Sequence, residues 1–142
     1  MTFDLSRFLP YLLNQAAETV SAQFQPQYRE RYGMLRTEWR VLFHLGRQSD
    51  MTARDICAKA MLHKTKVSRA VHALEKKGFL RRTTSREDRR AEQLSLSPKG
   101  QRVFEDLTRA ASGFERDLAA RLSEAEVEQL RLVLAKLIGQ TK

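Results

Sequence analysis

Between Lys64 and Lys77 the sequence KTKVSRAVHALEKK sets hydroxyls, an imidazole and long cations at positions that share one side of a helix. With Val67 at zero and about 100° per residue, Val67, Ala70, Val71 and Leu74 form one face. Thr65, Arg69, His72 and Lys76 form the opposite one, flanked by Lys66 and Ser68. Donors of this kind match the acceptors that base edges present in a major groove, above all guanine O6 and N7 for Arg or Lys, with Ser and Thr as adaptable short-range partners. Groove-binding helices approach by their N-terminal part. The candidate contacts are therefore Lys64, Thr65, Lys66, Ser68, Arg69 and His72, with Thr65, Lys66, Ser68 and Arg69 favoured over Lys76 and Lys77. A merely solvated polar face is the competing reading. A second cluster weighs against it: Arg86, Arg89 and Arg90 crowd one short loop, and a guanidinium on a protruding loop can enter a narrow minor groove. Asp88 in the same loop reads as a local partner that orients an Arg side chain by a charge-assisted bond.

The charge of the whole chain points the same way. Residues 36–99 hold 16 Lys and Arg against 7 Asp and Glu, while the remainder balances at 10 against 10, so this stretch carries the full net charge of +9. A local block of positive potential is the electrostatic footprint of a phosphate-rich partner. An enzyme reading such as a nuclease would need clustered acidic metal ligands or a nucleophile with its base, and this stretch supplies neither.

Helical and strand periodicities supply a frame for these residues. From Ser6 to about Arg31, apolar Phe8, Leu12, Ala16, Val20, Phe24 and Tyr28 recur every fourth position, an amphipathic helix in which Pro26 should cause a kink or break near Phe24 to Pro26. After Gly33, Thr37 serves as the N-cap of a second helix, whose buried face holds Trp39, Leu42, Phe43 and Leu45 or Gly46. Thr52 with Asp55 is a capping-box variant opening a short helix with Ile56, Ala58 and Ala60. The helix carrying Arg69 follows and stops at Gly78. Three short helices in close succession suggest a helix-turn-helix. Strands are expected at Phe79 to Thr84 and Ala91 to Leu96. Ser97-Pro98 then starts a helix with Val103, Leu107, Ala110, Phe114 and Leu118 on one side, and Ser123 with Glu126 caps a final apolar helix through Val127, Leu130, Val133, Leu134, Leu137 and Ile138.

The run Asp88-Arg89-Arg90-Ala91-Glu92-Gln93-Leu94-Ser95-Leu96-Ser97-Pro98-Lys99-Gly100 resembles the wing of MarR-family transcriptional regulators. Val67-Ser68-Arg69 and Leu74-Glu75-Lys76-Lys77-Gly78-Phe79 resemble their recognition helix, and Thr37-Glu38-Trp39-Arg40-Val41-Leu42 extends the match. The resemblance implies a mainly α (α+β) fold, a winged helix-turn-helix with N- and C-terminal dimerisation helices. One domain, 1–142, would then comprise dimerisation helices at 1–32 and 98–142 and a DNA-binding module at 36–97. It further implies that Arg90 enters the minor groove while Asp88 orients it. The family usually starts its recognition helix on a small capping residue where this chain has His63, which leaves the start open by about one residue.

Dimerisation also has a case of its own. The first and last helices carry apolar stripes and balanced charge, and a C2 homodimer would set two recognition helices roughly 34 Å apart on a palindromic operator in double-stranded DNA. The alternative is that both stripes pack only on their own module. The resemblance also implies a small aromatic or phenolic effector that releases DNA from a repressor, with Arg7, Phe8, Tyr11, Trp39, Arg40 and Phe43 as candidate ligand-binding residues; the aromatics read more readily as ordinary core. Cys57, between Ile56 and Ala58, reads as a buried structural thiol. His44, His63 and His72 lack the spacing of a ligand set, so no metal and no cofactor is expected. Without an apolar run of about 18 residues or a signal pattern, the chain is expected to be cytoplasmic with no membrane contact. The second function to weigh is a sequence-tolerant architectural or RNA-binding protein.

Overall fold

The computed structural model describes residues 2–84 and 92–139. After a 3-10 turn at Leu5–Arg7 come α1 (Leu9–Tyr32), α2 (Arg36–Arg47), α3 (Ala53–Ala60), α4 (Lys64–Lys76), β1 (Leu80–Thr84), β2 (Glu92–Leu96), α5 (Pro98–Ala119) and α6 (Glu124–Ile138). This is the mainly helical winged-helix fold, and no described helix is long and apolar enough to cross a membrane. Two compact units, residues 1–107 and 108–142, divide the chain within α5.

The core of the first unit is built from the expected periodicities. α4 buries Val67, Ala70, Val71 and Leu74, the four residues placed on its inner face by the 3.6-residue repeat. α4 packs against α2, α3 and β1, and Val41, Leu42, Leu45, Ile56, Ala60 and Leu80 of those elements are buried with it, as is Leu94 of β2. Each large side chain of this set gains about 1.5–3 kcal/mol by leaving water. β1 and β2 pair antiparallel from Leu80↔Leu96 to Thr84↔Glu92. Met51 adds a single bridge to Leu94, its N–H donating to the Leu94 carbonyl at 3.1 Å and its carbonyl accepting at 2.8 Å, which anchors the α2–α3 loop on β2. Sequence periodicity gave no sign of that bridge, because one residue of extended backbone has no period.

Local start and stop signals act largely as expected. Thr52 and Asp55 form both bonds of a capping box, as do Ser123 and Glu126. At the head of α5 the Ser97 hydroxyl accepts from the Gly100 N–H at 3.0 Å and donates to the Gly78 carbonyl at 2.5 Å. Gly100 is required there because a Cβ would fall 1.9 Å from the Phe79 carbonyl oxygen. α5 thereby starts on the same turn that ends α4.

Several expectations fail on the helices. No break occurs at Pro26; α1 continues through it to Tyr32. The carbonyl that loses its helical bond is that of Ala22, and both Ala22 and Pro26 are exposed, so water can serve it while the buried Phe24 and Tyr28 hold the helix in place. α2 begins at Arg36 after Leu35, with no side-chain cap, rather than on Thr37. Its buried face is also rotated from the expected one: Glu38, Val41, Leu42 and Leu45 are inside, and Trp39 and Phe43 are half-buried. Tertiary pairing explains the rotation, since Glu38 is drawn inward onto Lys77 of α4, Nζ to Oε1 3.1 Å. Cys57 is half-buried and Ala58 exposed, so α3 buries a narrower stripe than predicted, Ile56 and Ala60.

The even apolar stripe of α1 divides. Phe24 and Tyr28 are buried, whereas Phe8 and Leu12 are exposed. In the second unit α6 buries no residue, and Leu130, Leu132, Val133, Leu137 and Ile138 are all exposed. Arg131 reaches Glu115 at 3.7 Å and Glu128 at 3.9 Å, but these side chains are mostly in water and such pairs contribute little.

Candidate nucleic-acid interface

The register of α4 is decided by His63. Its extended backbone makes it the N-cap, and Nδ1 accepts the Thr65 N–H at 3.2 Å, so the imidazole does what a small capping residue would do. The helix therefore starts at Lys64. Lys64, Thr65, Lys66, Ser68, Arg69 and His72 are all exposed, and the four apolar residues interleaved with them are buried. One helix thus presents hydroxyls and cations on one side and is cemented to the core on the other. No acidic residue lies in its first turn to offset the positive end of the helix dipole.

Several braces hold that helix, and sequence reasoning missed them. Lys77, just past its C-terminus, pairs with buried Glu38 across 39 positions of sequence. The Arg40 guanidinium donates to the Ala60 carbonyl at 2.6 Å, capping the C-terminal end of α3 before the turn into α4. Arg82 donates through Nε to Glu75 of α4 at 3.0 Å and through Nη1 to Glu92 of β2 at 2.9 Å. The bonds to these carboxylates, Glu92 before Glu75, hold the guanidinium above its ordinary pKa. The alternation of β1 puts Arg82 on the same face as buried Leu80, opposite buried Leu94; nothing local could have named its partners.

The hairpin extends from this base. In β1 only Leu80 is buried, and Arg81 to Thr84 are exposed. Arg86, Asp88, Arg89 and Arg90 lie outside the described residues.

The candidate effector residues separate into groups. Trp39 and Phe43 adjoin at 5.5 Å between ring centroids, within an aromatic row that continues to Phe24 (5.7 Å from Trp39), Tyr28 (6.1 Å from Trp39) and Phe104 (6.1 Å from Phe43). Phe8 instead packs edge-to-face on Phe3, and Arg7 and Tyr11 are exposed near it in sequence. Arg40, a candidate for a ligand carboxylate, is engaged with Ala60. Beside this row His44 is held below its ordinary pKa by burial and then by the charges of Arg40, Arg47 and Lys59.

Comparison with known proteins agrees with this arrangement. The MarR family profile matches residues 32–91. The chain is 29% identical over 137 residues to the HTH-type transcriptional regulator PapX of Escherichia coli, covering 93% of this chain and 84% of PapX. It superposes with a TM-score of 0.86 and 29% identity on a MarR/EmrR family transcriptional regulator from Acinetobacter sp. ADP1, over 97% of each chain. The fold is shared too with Bordetella bronchiseptica BpsR, at a TM-score of 0.87 and 20% identity over 98% of this chain and 99% of that one; DNA binding by BpsR is regulated by 6-hydroxynicotinic acid.

Proposed function

Because the chain belongs to the MarR family of winged-helix, DNA-binding transcriptional regulators and is not an enzyme, we propose that it works as a homodimeric repressor that reads a palindromic operator and is released by a small aromatic acid. The observation that carries this reading is α4, whose exposed Thr65, Lys66, Ser68 and Arg69 stand opposite a fully buried face, so that docking in a major groove costs no rearrangement of the core. Lys64 and His72 extend the same surface. Arg86, Arg89 and Arg90 supply the wing, with Arg90 directed into the minor groove and Asp88 orienting it.

Support for the dimer comes from the exposed apolar residues of α1 and α6, Phe8 and Leu12 on one and Leu130, Val133, Leu137 and Ile138 on the other, which a second copy would cover. The winged module, 36–97, then lies in sequence between dimerisation helices of a single functional domain. For the effector, the half-buried edges of Trp39 and Phe43 offer an aromatic wall, and the ligand response of BpsR shows what this fold can host. Arg7, Phe8 and Tyr11 would join that wall only on ligand binding or dimerisation, and Arg40 only by leaving Ala60.

Footprinting on the duplex upstream of the protein's own coding region, with random duplex as competitor at fixed salt, tests the reading. Specific binders gain about a thousandfold or more over nonspecific sites. A protected palindrome that is lost on adding aromatic acids is the expected result. Equal binding of operator and random duplex, or a preference for RNA, would replace the regulator reading with a sequence-tolerant architectural or RNA-binding one.

A further inference from the structure

Glu75, Arg82 and Glu92 belong to α4, β1 and β2, and one guanidinium holds both carboxylates. The place of this cluster in the hairpin gives it significance. β1 leaves the core immediately after Leu80, and every later residue of the strand is exposed. A two-stranded ribbon has little stability of its own, so its direction depends on what ties it back. Leu80 and Leu94 hold it in the core, and the Met51 bridge ties Leu94, the residue opposite Arg82, to the α2–α3 loop. On the other side of that same pair the bond from Arg82 to Glu75 reaches the recognition helix, and one residue farther out Thr83 bonds across the hairpin to the Gln93 carbonyl.

We propose that the Glu75–Arg82–Glu92 cluster is a positioning clamp that fixes the angle between hairpin and recognition helix, so that adjacent grooves of the duplex are read by one rigid head. The inference rests on the duplex-reading function proposed above. Two carboxylates within the stretch that carries the chain's net positive charge do nothing for phosphate attraction, which makes a geometric role the better account of them. The fork also explains the choice of side chain: Nε and Nη1 lie in one rigid plane and serve two acceptors at a fixed separation, which the single ammonium of a lysine does not reproduce. All three side chains are more than a third exposed, so the clamp adds little to global stability and its removal leaves the fold intact.

Charge and geometry predict opposite outcomes for one variant. Glu75→Gln with Glu92→Gln raises the net charge by two, so affinity for random duplex increases. The clamp predicts that discrimination falls at the same time, by about threefold or more, between a duplex retrieved by this protein from a random pool and the same duplex with its narrow-groove A·T flanks changed to G·C. Arg82→Lys, which leaves the charge unchanged, is expected to lower that discrimination as well. Nitroxides at Lys76→Cys and Thr84→Cys, in a Cys57→Ala background, report the helix-to-hairpin separation without DNA; their distance distribution should broaden in both variants. Uniformly tighter binding with unchanged discrimination, or an unaltered distance distribution, overturns the clamp. If the wild type fails to prefer its selected duplex over random DNA, the duplex-reading function fails instead, and the distance measurement still decides the clamp.

Discussion

α4 and α6 are both amphipathic helices with a side-chain cap at the start, yet α4 buries Val67, Ala70, Val71 and Leu74 while α6 buries nothing. α6 is the more apolar by sequence, with Leu130, Leu132, Val133, Leu137 and Ile138 all in water in the single chain. The difference teaches that an apolar stripe states a requirement for a partner and leaves open where the partner comes from. For α4 it comes from α2, α3 and the hairpin of the same chain. For α6 the proposed source is a second copy. α1 shows both solutions in one helix, buried at Phe24 and Tyr28 and exposed at Phe8 and Leu12.

The largest effect should come from breaking the solved half of this comparison. Leu74→Ala removes a fully buried side chain and is expected to cost about 2–5 kcal/mol, read from urea unfolding of variant and wild type at the same protein concentration. Val133→Asp with Leu137→Asp addresses the unsolved half. The double variant should sediment as a monomer where the wild type sediments as a dimer, and the concentration dependence of the wild-type Tm should vanish with it; a wild type that is monomeric at micromolar concentration would refute the proposed dimer. Arg69→Ala leaves both packing faces intact, and should cost about 1–3 kcal/mol in operator binding with relaxed preference at one base pair of each half-site. An equal loss on all duplexes would reduce Arg69 to a phosphate contact.

The smallest effect is a pH dependence. Burial and neighbouring cations depress the folded-state pKa of His44, so between that value and about 6.5, the unfolded value, the unfolded chain binds more protons. The contribution of His44 to stability is therefore complete above about pH 6.5 and declines as the pH falls below it. His44→Gln should flatten this part of the stability profile measured by thermal unfolding. An identical acid-side slope in variant and wild type would show that other groups account for it.

Much of the interface is legible in the residues themselves. The inner face of α4, the two capping boxes, the Ser97-Pro98 start and the paired strands depend on groups within a few residues of one another, and periodicity or hydrogen-bond chemistry at short range suffices to place them. His63 lies at the margin: its position before the helix is clear from spacing, and its ability to cap through Nδ1 requires a rotamer that spacing does not specify. The expectations that fail are those in which a distant partner outweighs local preference. Pro26 sits inside an intact helix because Phe24 and Tyr28 are held by packing, and α2 turns its buried face to bring Glu38 to Lys77.

Composition and spacing alone thus suffice for a helix with a cationic exposed face, a cluster of arginines between two strand segments and two further helices with apolar stripes, since helical turns, caps and charge blocks are properties of neighbouring residues. Folding is needed to commit Arg40 to Ala60, Arg82 to Glu75 and Glu92, and Met51 to Leu94. Each of those choices joins different elements, and a bond across elements exists only once the backbone has brought both ends within about 3 Å of each other.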